Sequence, residues 1–250
     1  MDTLDNKKLL SVAEEAARLA GAEIKRRKPE VLESFGKDIK IDVDRLAHST
    51  ILKKLEETGI PVLSEEDAEH DFNLGFKWVA DPLDGSLNFL RGLPASAVSI
   101  ALMKEGEPVL GAIYDFNREE MFSGIVGVGA WLNGKEMKVS EVRDKSQAVI
   151  MTGFPSHTDY SKEALEKYIS LVRSFKKVRL IGSAALSLAY VAAGRADAYY
   201  EKDIKVWDVA AGLALVKAAG GGHSEIKLDK EGGCEIFASN GKILADSFSL

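Results

Sequence analysis

One run of twelve residues restricts this chain more than any other: Trp78-Val79-Ala80-Asp81-Pro82-Leu83-Asp84-Gly85-Ser86-Leu87-Asn88-Phe89. Trp78 to Ala80 read as the end of a buried strand. Pro82 then fixes its own φ and Gly85 permits a tight turn, so the chain must turn a rigid corner here. Asp81 and Asp84 stand on that corner, and short, stiff carboxylates suit hard divalent cations, which take oxygen ligands. Ser86 falls where a helix can begin, which would aim the Gly85 and Ser86 amides at an anion. Paired metal ligands beside an anion cradle point to phosphoryl transfer or hydrolysis. The plain alternative is a surface Asp-Pro-x-Asp-Gly turn, and only residues elsewhere in the chain can decide between them.

The rest of the chain supplies a large core for that corner. Its 250 residues are 46% hydrophobic and 29% charged, which fits one large domain or two tightly joined subdomains. The net charge of −6, from 33 basic and 39 acidic residues, argues against a nucleic-acid backbone as the main ligand. A lone cysteine, Cys234, excludes an intrachain disulfide and fits a reducing compartment. The polar start, Met1-Asp2-Thr3-Leu4-Asp5, introduces no signal peptide, and no apolar run nears the ~20 residues of a membrane span. A cytoplasmic protein is expected.

Helical spacing of Leu9, Val12, Ala13, Ala16, Leu19, Ala20 and Ile24 predicts a helix over 5–27. The polar stretch 28–40, with Gly36, reads as a mobile loop. A second helix is expected over 44–58, stopped by Gly59. Ile60 to Leu63 is a short strand that delivers Ser64-Glu65-Glu66-Asp67. Past the corner the pattern turns β: strands at 97–103 and 109–116 around a turn at 105–108, then 120–123 and 128–132, with Asn133-Gly134 as a hairpin turn. The second half alternates: strand 147–152, helix 161–175, strand 177–181, helix 183–193, strand 197–201, helix 208–219, strand 234–238. The expected class is α+β. An antiparallel N-terminal sheet lies in a subdomain over 1–145, and a smaller mixed sheet with helices on its faces in a second over 146–250. The boundary reads as a change of layer, since no Pro/Gly/Ser-rich linker marks it.

Other carboxylates fall at element ends: Glu65 and Glu66 after a strand, Asp208 before an Ala/Gly-rich helix, Asp42 and Asp44 near a helix start. Singly, each has an ordinary reading as a cap or a solvated loop. In combination they are hard to attribute to chance.

With these residues in place, the chain resembles the inositol monophosphatase family of magnesium-dependent, lithium-sensitive phosphatases, over nearly its whole length. Residues 78–89 match that family's Trp-x-x-Asp-Pro-(Ile/Leu)-Asp-Gly-(Thr/Ser)-x-Asn-Phe signature. Residues 207–221 match its Trp-Asp, small-residue helix and Gly pair; Glu65-Glu66 match its acidic pair; Asp38 to Asp44 match its early Asp-x-x-Thr-x-x-Asp segment in part. The resemblance implies a layered αβαβα sandwich, a homodimer and hydrolysis of small phosphate monoesters, with inositol monophosphates or sugar phosphates as substrates. Fructose 1,6-bisphosphate and nucleotide 3′-phosphates are the alternatives within the superfamily, and a non-catalytic binding protein is the remote one. It further implies one Mg²⁺ at Glu65, Asp81 and the Leu83 carbonyl and a second at Asp81, Asp84 and Asp208. A third, weaker ion would bind through Glu65 and water. Asp44 and Ser86 would orient the attacking water, so Asp44, Ser86, Glu65 and Asp81 are the implied catalytic set. Substrate contacts would come from Gly85, Ser86, Gly182, Ser183, Ala184, Glu201 and Asp208. Departures fall in the early segment: Ile41 replaces Thr, and only Lys37 stands near the loop position where the family has Lys. Ser86 replaces a common Thr and keeps the hydroxyl. Cys234 and the four histidines receive no catalytic role. Lys202 and Lys205, three apart near Glu201, are either solvated or would hold the second phosphate of a sugar bisphosphate.

Overall fold

The computed structural model describes residues 3–28, 31–35, 38–67, 70–73, 75–154 and 159–244, with backbone alone at 3–4, 32–35, 38–41 and 172. Two long helices, α1 (Thr3–Lys25) and α2 (Asp42–Leu55), pack together on one side of a seven-stranded sheet. Between them runs a two-stranded hairpin, β1 (Val31–Phe35) with β2 (Asp38–Ile41), where the sequence reading places a mobile loop. Strands of five and four residues are too short for a period of two to stand out among polar residues. Lys37 lies outside the described residues. Helix α2 starts at Asp42 rather than 44 and gives way to a 3-10 turn, Glu56–Thr58, before Gly59 at φ +66°.

The large sheet has the order β3 (Val62–Ser64), β4 (Phe76–Asp84), β5 (Ala97–Lys104), β6 (Glu107–Asp115), β7 (Glu120–Ile125), β8 (Gly129–Leu132), β9 (Lys135–Glu136). It is antiparallel except at one edge, where β3 runs parallel to β4. That edge makes it mixed rather than wholly antiparallel. Both faces are covered. Trp78, Ala80, Ile100 and Leu102 point toward α1 and α2, while Val79, Ala101 and Met103 point the opposite way. A sheet buried on both faces shows only partial polar/apolar alternation, as 97–103 does. The hairpin turn is confirmed at Asn133 and Gly134, with φ +49° and +77°.

On the second face lie α5 (Ala184–Ala192) and α6 (Val206–Ala218), and beyond them a mixed five-stranded sheet. Its order is β11 (Lys177–Arg179), β10 (Val149–Thr152), β12 (Ala198–Lys205), β14 (Gly233–Ser239), β13 (Gly222–His223). The short β13 was not foreseen. Helix α4 (Lys162–Arg173) closes the far side through Leu171, against Ile150, Ala198 and Tyr200. The layers are therefore αβαβα. Helix α6 is apolar on every side, as a helix between two sheets must be. From Val206 to Val216 only Asp208 is less than fully buried. Close approach needs glycine: a Cβ on Gly111 of β6 would lie 2.4 Å from the Ala211 carbonyl oxygen, and one on Gly212 2.3 Å from Leu188 Cβ. Among the described residues no helix is long and apolar enough to cross a membrane.

Candidate active site

Strand β4 does not stop at Ala80. It continues through Asp84, with a register shift between Asp81, opposite Ser99, and Asp84, opposite Ala97. Pro82 has no N–H to give the ladder, and the Leu83 amide freed by the shift donates instead to Asp81 Oδ1 at 2.9 Å. The corner follows at Gly85, φ +84°, where a Cβ would sit 2.7 Å from the Ala95 carbonyl oxygen. Ser86 opens the short helix α3 (Ser86–Leu90). Its hydroxyl lies 2.8 Å from the Leu83 carbonyl and 3.4 Å from Asp44 Oδ1, so its single proton has two acceptors in reach. Asp44 is buried in the first turn of α2. Leu83 is buried too, and its carbonyl oxygen keeps a lone pair beyond the one Ser86 engages.

Three carboxylates converge on this corner. Glu65 follows β3, tied by its amide to the Ala80 carbonyl at 3.2 Å. Asp208 is not the cap of α6 but its third residue, with Oδ2 accepting from the Lys205 amide at 3.2 Å. One carboxylate oxygen each from Glu65, Asp81 and Asp208 lie within 4.8 Å of one another. Asp84 stands beside them, its Oδ2 accepting from the Ser183 hydroxyl and from the Ala185 amide at 2.8 Å. Burial, then the charge of Glu65, hold the Asp81 and Asp208 carboxyls well above the ordinary range. Burial pushes Asp84 up to about 6 against the opposing pull of Ser183 and the α5 amides. Carboxylates packed this tightly repel when ionised, and an all-oxygen donor set suits a hard cation that would relieve them.

The expected substrate-side residues fall into two groups. Ser183 caps α5, accepting from the Leu186 amide at 3.2 Å while it donates to Asp84. It and Ala184 are buried, while Gly182 is exposed. Glu201 lies on β12 at the residue before a register shift, and Tyr199, two residues earlier, donates to it at 2.9 Å. Burial and the charge of Asp84 push Glu201 up to about 7. Lys205 does not point toward Glu201 as a free cation; its Nζ donates to the Glu231 carbonyl at 2.8 Å.

Sequence reasoning passed over several contributors. Asn88 Nδ2 donates to the Ala95 and Ile181 carbonyls, both at 2.8 Å, and so pins the 181–182 turn to the corner. The signal was available, because Asn88 belongs to the twelve-residue run. His48 Nδ1 meets Ser64 Oγ at 2.9 Å, linking α2 to the strand that carries Glu65. The Phe72 ring stacks on Trp207 at 6.1 Å between centroids, and the His70 ring packs tilted against Trp207 at 4.9 Å. This clasp joins the Glu65 segment to the first turn of α6.

A cluster of partly and fully buried carboxylates that could hold a metal ion, set in an αβαβα sandwich, is the arrangement that comparison with known proteins places in a family. The chain belongs to the inositol monophosphatase family, whose model matches residues 5–247. It is 40% identical to the Nus factor SuhB of Xylella fastidiosa, over 95% of this chain and 92% of that one. Among solved structures it is similar to the extragenic suppressor protein suhB of Bartonella henselae, with a TM-score of 0.82 and 34% identity, covering 94% of this chain and 95% of that one. It is also similar to an inositol monophosphatase from Anabaena, with a TM-score of 0.81 and 32% identity over 95% and 92%.

Proposed function

We propose that this protein hydrolyses small phosphate monoesters, of the inositol monophosphate or sugar phosphate kind, with Mg²⁺ as cofactor. The observation that carries the reading is the meeting of the Glu65, Asp81 and Asp208 carboxylates within 4.8 Å, with burial resisting ionisation of Asp81 and Asp208. Glu65, Asp81 and the Leu83 carbonyl would hold one ion; Asp81, Asp84 and Asp208 the other. Bound there, Mg²⁺ supplies a lowered pKa for a bound water and positive charge for the leaving oxygen.

The chain's own groups do the rest. The Ser86 hydroxyl turns between the Leu83 carbonyl and Asp44 Oδ1, which lets the pair orient a water and pass on its proton. The Gly85 and Ser86 amides face phosphate oxygens, and Gly182 and Glu201 face the alcohol. Ser183 and Ala184 act by fixing Asp84. The reading includes a subdomain over 1–145 that carries most of the ligands and one over 146–250 that brings Asp208, a homodimer, a cytoplasmic setting and sensitivity to Li⁺. The relative named Nus factor SuhB lends no support to excluding nucleic acid as a partner, and no such exclusion forms part of the reading.

The test is phosphate release from inositol 1-phosphate, fructose 1,6-bisphosphate and adenosine 3′,5′-bisphosphate, with Mg²⁺ and with chelator. Turnover should require Mg²⁺, fall with Li⁺, and drop by several orders of magnitude in Asp81→Asn, since an amide cannot balance two dications. Wild-type turnover in Asp81→Asn at saturating Mg²⁺ would refute the two-ion arrangement. No release from any ester would refute the phosphatase reading.

A further inference from the structure

Two histidines from different elements hold the end of β3, where Glu65 stands. The first comes from α2. His48 follows Asp44 by one helical turn, on the same face. Its Nδ1 lies 2.9 Å from Ser64 Oγ, and its Nε2 lies 3.8 Å from Asp67 Oδ1. Those two partners are the ends of the turn Ser64-Glu65-Glu66-Asp67, which is closed twice. The Asp67 amide donates to the Ser64 carbonyl at 3.2 Å, and the Ser64 amide donates to Asp67 Oδ2 at 2.7 Å.

The second lies just beyond the turn. His70 Nε2 is 3.2 Å from the Glu65 carbonyl oxygen. A carbonyl only accepts, so Nε2 carries a proton and donates it. The ring itself rests on Trp207, which is 6% exposed in the first turn of α6, next to Asp208. Glu65 is thus held at both ends of its backbone. Its amide is on the Ala80 carbonyl of β4, and its carbonyl is on an imidazole anchored to α6.

The ties oppose a specific force. The Glu65 carboxylate comes within 4.8 Å of Asp81 and Asp208, and its charge helps to hold both above the ordinary carboxylate range. A strand end free to relax would carry Glu65 away from these like charges. Groups that orient metal ligands are typically worth tenfold to a hundredfold in metal affinity.

We propose that His48 and His70 are positioning residues for Glu65. They fix its backbone so that its carboxylate stays with Asp81 and Asp208, and neither binds the ion or the substrate. The proposal rests on the metal site of the phosphatase reading above.

The test reads Mg²⁺ affinity by isothermal titration calorimetry, with turnover as a second measurement. His48→Ala and His70→Ala should each weaken Mg²⁺ binding about tenfold. The Mg²⁺ concentration for half-maximal turnover should rise by a similar factor, with a smaller change in kcat. An Asn amide can take the place of Nδ1 and a Gln amide that of Nε2. His48→Asn should therefore recover most of the affinity. His70→Gln should recover part of it, since it keeps the donor and loses the ring on Trp207. In a Glu65→Gln background, where the ligand is already weakened, the alanine substitutions should have little further effect. Unchanged affinity in both alanine variants would overturn the proposal, as would a full loss that persists in the Glu65→Gln background. A thermal midpoint that falls in chelator, with no recovery of affinity by Asn or Gln, would also overturn it, because it marks packing alone. A wild type that binds Mg²⁺ but hydrolyses no ester refutes the phosphatase reading by itself, and the affinities still decide on the histidines. A wild type that binds no Mg²⁺ overturns both.

Discussion

Gly153 has no side chain because Glu201 occupies the place of one. A Cβ there would lie 2.5 Å from Glu201 Oε1. The atom in the way is the end of a flexible side chain, so in Gly153→Ala the carboxylate should move while the backbone stays. The expected result is a thermal midpoint near that of the wild type and a raised KM for polyol phosphates. Losing a hydrogen bond to a charged group costs roughly 1.5–3 kcal/mol, or about tenfold to a hundredfold in KM. A lowered midpoint with unchanged KM would mean that Gly153 serves packing instead. Contacts of this kind are invisible in a sequence, because they depend on how β10 and β12 lie side by side. Asp81, Asp84 and Asp208 were legible because each belongs to a local run whose turn or helix chemistry fixes it. Tyr199 was legible in principle, since residues two apart share a strand face.

At the scale of elements, α6 announces itself: no polar stripe interrupts Val209 to Val216, so it has to be covered on all sides. It starts at Val206, two residues before the expected Asp208. The side chain does serve the helix end, but from the third position, reaching back to the Lys205 amide. The hairpin at 31–41 was missed for the opposite reason, a pattern too brief to read. The fit of α6 to α5 gives a prediction. Gly212→Ala would gain about 1 kcal/mol of helix propensity, but its methyl would meet Leu188 Cβ at 2.3 Å, an atom close to its own backbone. Overpacking costs roughly 1–3 kcal/mol. We expect net destabilisation in thermal or urea denaturation, together with weaker Mg²⁺ binding as Asp208 shifts. A more stable protein would show that the interface has slack.

For the molecule as a whole, the cage ties stability to pH and to metal. Asp84 titrates at about 6 and Glu201 at about 7 in the folded chain, against ordinary values of 3.8 and 4.5. Asp81 and Asp208 shift the same way. Folded-state pKa values above the unfolded ones mean that the folded chain holds protons the unfolded chain has lost. That stability is full below about pH 4 and is lost as pH rises through about 6 to 7. Glu107 and Glu120, drawn down by Lys217 and Arg195, act in the opposite sense, but in more acidic solution. In chelator the thermal midpoint should therefore fall between about pH 5 and pH 8. Mg²⁺ prefers the ionised cage, so the midpoint gain on adding it should be larger at pH 8 than at pH 5. Equal gains at both would place the metal elsewhere. The layering has one more consequence, for how such a protein can change over generations. The central helices leave no room even for a methyl group at Gly111 or Gly212, and α6 carries Asp208 of the carboxylate cluster. A cavity beside Glu201 borrows its far wall from α4, the outermost layer, most of whose side chains face outward. A lineage built on this plan can vary at its margin while its packed centre stays fixed.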